Sequence, residues 1–375
     1  MRNKGINGQR IVRFYSLTAA VAVVAAATFC TTVDAETTDD WHAKWTKLEA
    51  AAKGEGKLVI SGPVGTVWRD PLLAFQKEYP EIKIEYTPGN SRDFWPRVTQ
   101  EQKVEQFLWD LRVGGIDPFA YRMRDAGAID PVRPELILPE VTDEAAWYGG
   151  FNGLFADKEK QFLPGFLLYR LPPGWVNRDA ITPDKLEKVT DLLKPEFDGK
   201  ISIQDFRGGA AVSVLSVMIK QYGEEFVTKL MRDQKVVVTS DNRQQAEWLV
   251  RGQYPIALAV STDQLTLLHK RGVKMNIAPL EGLDVTVSGF GSVQLIKKRP
   301  NPNAARLYVN WLLTKRTQDA ITAAVGVNSR RRDAAIGEPL TAIKGDEIGR
   351  YIDSQAEPML RYQGAAVRLG RELIH

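Results

Sequence analysis

Residues 57–86, KLVISGPVGTVWRDPLLAFQKEYPEIKIEY, decide the fold of this chain. Residues 57–60 form a short apolar run, which predicts a buried strand, and the turn residues at 61–63 end it. Residues 69–77 carry apolar side chains at helical spacing. Residues 82–86 alternate between apolar and polar side chains, as a half-buried strand does. A strand, a helix and a second strand in this order predict a βαβ unit with parallel strands.

The same alternation continues along the chain in two sets. The first set adds a helix over residues 92–106, capped by Ser91, and a strand over 108–113. The second set has predicted strands over residues 200–204, 236–238 and 256–260, separated by apolar-faced helices, and the chain is helical after Pro302. A chain of 375 residues exceeds what one compact core usually holds. The pattern therefore predicts two α/β lobes, each with a mostly parallel sheet.

Residues 1–35 have the composition of a secretory signal peptide. Basic residues at the start precede an uncharged, Ala- and Val-rich run over 17–29, and Val33-Asp34-Ala35 supplies small residues at a cleavage site. The apolar run is shorter than the roughly 20 residues that a membrane-spanning helix needs. We therefore expect a soluble periplasmic protein that begins near Glu36.

Most of the net charge of +4 belongs to this leader, so the composition gives no support for nucleic-acid binding. The single cysteine, Cys30, also lies in the leader, which excludes disulfides and thiol catalysis in the mature chain. The three histidines, His42, His269 and His375, have no spacing typical of a zinc site or a catalytic triad. The sequence predicts no enzyme activity, no cofactor and no metal site.

Three motifs resemble one family. They are FQKEYP at residues 75–80, ITP at 181–183 followed by TDLLKPEFDGKI at 190–201, and GQYPIA at 252–257. Their order and spacing resemble the extracellular solute-binding proteins of ABC importers, in the group that includes the ferric-ion-binding proteins. The resemblance covers nearly all of the mature chain.

The resemblance implies a type II periplasmic binding protein fold, with two doubly wound α/β lobes around a central cleft, joined by crossover strands. The expected N-terminal lobe comprises residues 36–165 and 287–375, and the expected C-terminal lobe comprises residues 166–286. The implied function is capture of a small polar or anionic organic solute by hinge closure, followed by delivery to an ABC permease in the inner membrane. The implied protein is a monomer.

Ligand-binding residues are expected in loops that follow strands, because ligands bind at the carboxyl ends of the strands in open α/β sheets. In the second lobe, Arg207-Gly208-Gly209 is the best candidate for an anion site, since glycine amides at a helix start and an arginine both bind anions. In the first lobe the candidates are Ser61-Gly62, Asn90-Ser91 and Asp117. In the glycine-rich return crossover they are Ser288 and Phe290.

Members of this family differ in the class of ligand that they bind. Ferric-binding relatives hold iron with two adjacent tyrosines, at positions that resemble Ser261, Thr262 and Asp263 here. Hydroxyls that stay protonated are poor ligands for a hard cation, so Ser261 and Thr262 favour an organic or oxyanion solute, or simply cap a helix. Three alternatives stay open: a ferric-iron-binding protein, a sensory periplasmic binding protein, and an enzyme on the same fold.

Overall fold

The computed structural model describes residues 36–206, 209–343 and 347–373. The predicted signal peptide lies outside the described residues, as do Arg207 and Gly208 of the predicted anion site. The strands are β1 Lys57–Gly62, β2 Lys83–Pro88, β3 Leu111–Gly114, β4 Ile129–Asp130, β5 Tyr169–Arg170, β6 Gly174–Asn177, β7 Ile201–Gln204, β8 Val237–Thr239, β9 Ile256–Leu258, β10 Ile277–Pro279, β11 Val285–Val287, β12 Ser292–Ile296 and β13 Ile352–Asp353. The helices are α1 Glu36–Glu55, α2 Thr66–Leu73, α3 Phe75–Glu78, α4 Ser91–Lys103, α5 Pro118–Asp125, α6 Pro139–Thr142, α7 Gly150–Gly153, α8 Gly209–Tyr222, α9 Glu224–Asp233, α10 Asn242–Arg251, α11 Thr262–Lys270, α12 Pro302–Leu313, α13 Lys315–Val325 and α14 Leu360–Leu373.

The first lobe is built on a sheet with strand order β2-β1-β3-β12-β4. β1 pairs in parallel with β2 and with β3, as the βαβ pattern predicts. β12 lies between β3 and β4 and is antiparallel to both, so the sheet is mixed. The physical reason is that β12 enters from the second lobe, and its direction is set by that crossover and not by a helix on the sheet face.

The second lobe repeats this arrangement with strand order β10-β6-β9-β7-β8. β7 is parallel to both β8 and β9, whereas β6 is antiparallel to β9 and β10 is antiparallel to β6. Each lobe has its own apolar core. Leu58, Ile60 and Val113 belong to the first core, and Ile201, Ile203 and Ile256 belong to the second. The two-lobe α/β fold predicted from the sequence is confirmed.

A third sheet, with strand order β13-β11-β5, lies where the chain passes between the lobes. Phe166 and Leu167 pack in the first core, and Leu171 packs in the second. Val287 packs in the second core and Val293 in the first, so β11 leads the chain back. These two passages are the crossover strands that the fold class requires.

The C-terminal helix differs from the expected lobe assignment. The sequence analysis places all of residues 287–375 in the first lobe, but α14 packs against α8 and α9 of the second lobe. Ala366 and Leu369 are part of the second core, and Gly370 has no room for a side chain because the Phe206 ring lies against it. The chain therefore crosses between the lobes a third time, near β13. The helical pattern alone could not reveal which lobe the helix covers.

The run Arg330-Arg331-Arg332 resembles a solvated charge cluster in the sequence, but two of its members are buried. Arg330 is 5% exposed and Arg331 is 4% exposed. The Arg331 guanidinium donates to the backbone oxygens of Glu140 and Leu313 and to the Asp333 carboxylate. These contacts attach the segment after α13 to the first lobe. No helix of the described residues is long and apolar enough to cross a membrane.

Candidate ligand-binding site

A buried arginine lies at the carboxyl ends of the parallel strands of the first lobe. Arg112 is on β3 and is 2% exposed. Its Nη1 donates to Ser61 Oγ at 2.7 Å, and its Nη2 donates to Gly89 O at 3.2 Å and to Ser91 Oγ at 3.3 Å. Its Nε has no partner in the described structure. The guanidinium thus joins the ends of β1 and β2 to the start of α4.

The charge of this arginine has no carboxylate partner at ion-pair distance among the described residues. The rings of Phe94 and Trp95 lie 4.8 and 6.0 Å from its guanidinium carbon. Burial lowers the pKa of Arg112 to about 10, and the nearby Asp117 carboxylate partly offsets this. Arg112 is therefore still protonated at neutral pH, and its cation is compensated mainly by dipoles and aromatic faces.

The predicted first-lobe residues surround this arginine. Ser61 is buried at the end of β1, and Gly62 follows it with the Tyr86 ring against its Cα, where any side chain would clash. Ser91 is half-buried at the first position of α4. Ser61 and Ser91, which are thirty positions apart in the sequence, therefore bind the same guanidinium.

Two of the predicted residues act as helix caps. Asn90, and not Ser91, caps α4, because its Oδ1 accepts the Asp93 amide at 3.0 Å. The Oδ1 of Asp117 accepts the amides of Phe119 and Ala120 at 2.9 and 3.1 Å and so caps α5. Capping occupies one oxygen of each side chain. A further role of Asn90 and Asp117 in ligand binding stays a prediction.

The return crossover contributes one buried and one exposed residue. Ser288 is buried; its amide donates to Gln355 Oε1 at 2.7 Å, and its Oγ accepts from Arg330 Nη2 at 3.5 Å. Phe290 is 56% exposed and meets the edge of the buried Trp68 ring at 6.2 Å. Ser288 thus belongs to the hinge, whereas the Phe290 ring presents an apolar face to solvent.

The second-lobe candidates follow adjacent parallel strands. Gly209 begins α8 after β7, with φ +66° and open space around its Cα. Ser261 precedes α11, which begins at Thr262 after β9, and its Oγ contacts the Asp263 carboxylate instead of capping the helix. The simple capping interpretation of Ser261 is therefore wrong. Asp263 is exposed at the same helix start.

Tyr169 lies at the hinge, between the strand ends of the two lobes. This residue lies on β5, its hydroxyl packs against Gly289, and the carbonyl oxygen of Gly289 borders Gly115 at the end of β3. Burial raises the pKa of Tyr169 to about 12, and the negative charge of Asp263 adds to this shift. Tyr169 is thus near the start of α11 and, through Gly289, near the end of β3. This brings the first-lobe and second-lobe candidates to the same side of the molecule.

Arg112 is the functional candidate that sequence reasoning missed. The sequence signal was present, because Asp110 and Arg112 are charged positions within a strand that is otherwise apolar. Asp110 immediately precedes β3 and Arg112 lies on it, two positions further along, and the Asp110 carboxylate accepts from the amides of Val59 and Asn301. A charged residue in a buried strand requires a partner, and this requirement could have pointed to Arg112.

A family model described as bacterial extracellular solute-binding protein matches residues 167–324. An uncharacterized protein of Haemophilus influenzae is 24% identical over 286 residues, which cover 72% of this chain and 77% of that protein. The match to the family model runs from β5 into α13, so it includes the second lobe apart from α14, together with β12 and α12 of the first lobe.

Solved structures share the fold. Iron-bound HitA from Pseudomonas aeruginosa superposes with a TM-score of 0.65 at 17% identity, covering 84% of this chain and 99% of HitA. An ABC transporter protein from Clostridium perfringens gives a TM-score of 0.65 at 19% identity, covering 85% of this chain and all of that one. The resemblance to extracellular solute-binding proteins, in the group that includes the ferric-ion-binding proteins, is thereby confirmed.

Proposed function

From this resemblance we propose that the protein is the periplasmic solute-binding component of an ABC importer and captures a small polar or anionic organic solute. The observation that carries the proposal is the arrangement of two α/β lobes whose strand ends converge beside a shared hinge sheet. Ligands bind at such strand ends in open α/β sheets, and closure about a hinge encloses them.

Each part of the site has a role in this proposal. On the first lobe, the hydroxyls of Ser61 and Ser91, held by Arg112, form hydrogen bonds with polar atoms of the solute. The starts of α8 and α11 supply polar groups on the second lobe, and Phe290 covers an apolar part of the solute. Closure removes water from these contacts, which strengthens the charge-assisted hydrogen bonds. The closed form then docks on the permease.

The organic solute is preferred to ferric iron because of the hydroxyls available. Ser261 and Thr262 stand where the ferric-binding relatives are inferred to have two tyrosines, and serine and threonine do not ionise. Tyr169 at the hinge lies on β5 and not in the loop before α11, where the ferric-binding pair is inferred. We expect the purified protein to remain colourless with ferric citrate. A visible tyrosinate-to-iron absorption band would replace this proposal with the ferric one.

The direct test is a thermal-shift screen over carboxylates, phosphonates, phosphate esters, amines, sugars and metal ions. A ligand at 100 times its Kd adds about 2.7 kcal/mol to the free energy of unfolding, so a true solute raises the melting temperature measurably. The same solute should stimulate ATP hydrolysis by the cognate permease in the presence of the protein. Stimulation of a receptor domain instead would indicate a sensory protein, and conversion of the solute would indicate an enzyme.

A further inference from the structure

We propose that the first lobe contains an oxyanion-binding site formed by Ser61, Ser91 and the amino end of α4, with Arg112 behind them as its cation. This inference rests on the proposed function and assigns to one lobe the anionic group of the solute. The ligand chemistry is a phosphate, phosphonate or carboxylate group.

The first argument is the uncompensated charge. Arg112 is 98% removed from solvent, yet it forms no ion pair with any described residue. Desolvating a cation costs several kcal/mol, which a protein normally offsets with an anion. Asp117 acts on Arg112 only from beyond ion-pair distance, and its Oδ1 is used to cap α5. An anion at the end of β1 and β2 would supply the missing charge.

The second argument is the direction of the hydroxyl protons. Ser61 Oγ and Ser91 Oγ each accept a hydrogen bond from the guanidinium, at 2.7 and 3.3 Å. An oxygen that accepts from a cation keeps its own proton free to donate. Both hydroxyls are therefore held as donors, and their natural partner is an acceptor with negative charge.

The third argument is the helix that begins at the site. α4 starts at Ser91 and spans thirteen residues, Ser91–Lys103, so its dipole places partial positive charge at the same point. The guanidinium Nη2 donates to the Oγ of its first residue, and the unpartnered Nε belongs to the same buried group. The exposed Asp93 carboxylate in the first turn, which accepts from Asn90 Nδ2, partly offsets the helix dipole, so the two hydroxyls and the buried cation are the main features of the site.

The starts of α4 and α11 each carry an exposed carboxylate. Asp93 of α4 accepts a hydrogen bond from Asn90 Nδ2 at 2.7 Å, and Asp263 of α11 contacts Ser261. What distinguishes α4 is the buried Arg112, whose guanidinium binds the hydroxyl of its first residue. The solute is thus expected to direct its anionic group toward Ser61, Ser91 and Arg112.

The test uses inorganic phosphate and acetate as separate probes, with sodium chloride at equal ionic strength as reference. Melting temperature and calorimetric affinity are measured for the wild type and for Ser91→Ala and Arg112→Lys. The control is Thr228→Ala, which removes an exposed hydroxyl of α9 that binds only its own helix. We expect at least one probe to stabilise the wild type and the control, with affinity reduced about 10- to 100-fold in Ser91→Ala.

Two results would overturn the inference. One is a wild type that neither phosphate nor acetate stabilises, and the other is Ser91→Ala binding the probe as tightly as the control does. Loss of binding in Arg207→Ala with full binding in Ser91→Ala would place the anion on the second lobe instead. If the solute screen finds a neutral or cationic solute while both probes fail, the proposed function stands and this inference falls.

Discussion

At the scale of single residues, burial of the Arg112 guanidinium disfavours folding, whereas its positive charge has a proposed role in binding the solute. The desolvation of this buried cation is unfavourable and is repaid only in part, by hydroxyls, one carbonyl, aromatic rings and the more distant Asp117 carboxylate. Its partners Ser61 and Ser91 lie at the end of β1 and the start of α4, so the site forms only in the folded lobe.

The substitution Arg112→Met should separate these two roles. Methionine fills the volume between Phe94 and Trp95 without a charge, so we expect the free energy of unfolding of the ligand-free protein to stay within about 1 kcal/mol of the wild-type value or to rise. Stabilisation by anionic solutes should disappear. Urea denaturation with and without phosphate measures both quantities. A loss of about 3–5 kcal/mol without ligand would show that the fold itself requires the guanidinium.

At the scale of secondary-structure elements, local pattern predicted the strands and helices but not their partners. The alternation of residues 57–86 was sufficient to predict β1, a helical segment and β2, because burial and spacing are local properties, but not that the segment divides into α2 and α3. The cap of α4 was shifted by one residue, since Asn90 and Ser91 are both good capping residues and only the backbone decides between them. β12 and α14 were harder because their neighbours are distant in sequence.

The candidate site was predictable only in part, for the same reason. The rule that ligands bind at strand ends selected Ser61 and Ser91, which the structure brings to one guanidinium, and their role in ligand binding stays a prediction. It did not select Arg112, which lies within β3 and not after it. The burial of Arg330 and Arg331 was also hidden, because three consecutive arginines are normally solvated.

The contribution of the buried Arg330 to the hinge between the lobes can be tested by substitution. The Arg330 guanidinium donates to Gly165 O at 2.7 Å, Gly153 O at 2.9 Å and Asp353 Oδ2 at 3.1 Å. We expect Arg330→Gln to lower the free energy of unfolding by about 3 kcal/mol, because a buried charge pair and carbonyl oxygens lose their partner.

The matched control is Arg232→Gln, whose side chain is 65% exposed beside Asp233. Its effect should be below about 1 kcal/mol. Equal effects of the two substitutions in chemical denaturation would contradict the role of Arg330 as a hinge anchor.

At the scale of the whole molecule, three chain passages join the two lobes within the residues that the structure describes. The third passage is anchored to the first lobe before α14 enters the second. Glu357 accepts two hydrogen bonds from Arg124 of α5, at 2.6 and 3.0 Å, and one from the Lys158 amide at 2.8 Å. The Glu357 amide in turn donates to Ala156 O at 3.1 Å. The C-terminal segment is therefore a structural part of both lobes.

This anchor predicts a pH dependence with a defined sign. The Arg124 guanidinium lowers the pKa of Glu357 to about 2 from its ordinary value of 4.5. A carboxyl whose pKa is lower in the folded state stabilises the protein above the unfolded pKa, and that stabilisation is lost as the pH falls from about 4.5 toward 2. Glu357→Gln should thus cost about 2 kcal/mol at pH 7, the range for hydrogen bonds to charged groups, and progressively less at lower pH.

The control for this prediction is Glu225→Gln, which removes a carboxylate that is 81% exposed and pairs with Lys229 within α9. Its effect at pH 7 should stay below about 0.5 kcal/mol, as for other exposed helix pairs. Urea denaturation of both variants and the wild type at pH 7, 4 and 3 gives the comparison. If the difference between wild type and Glu357→Gln is constant across these pH values, the ion pair does not link the C-terminal segment to the first lobe, and α14 is held by its contacts with α8 and α9.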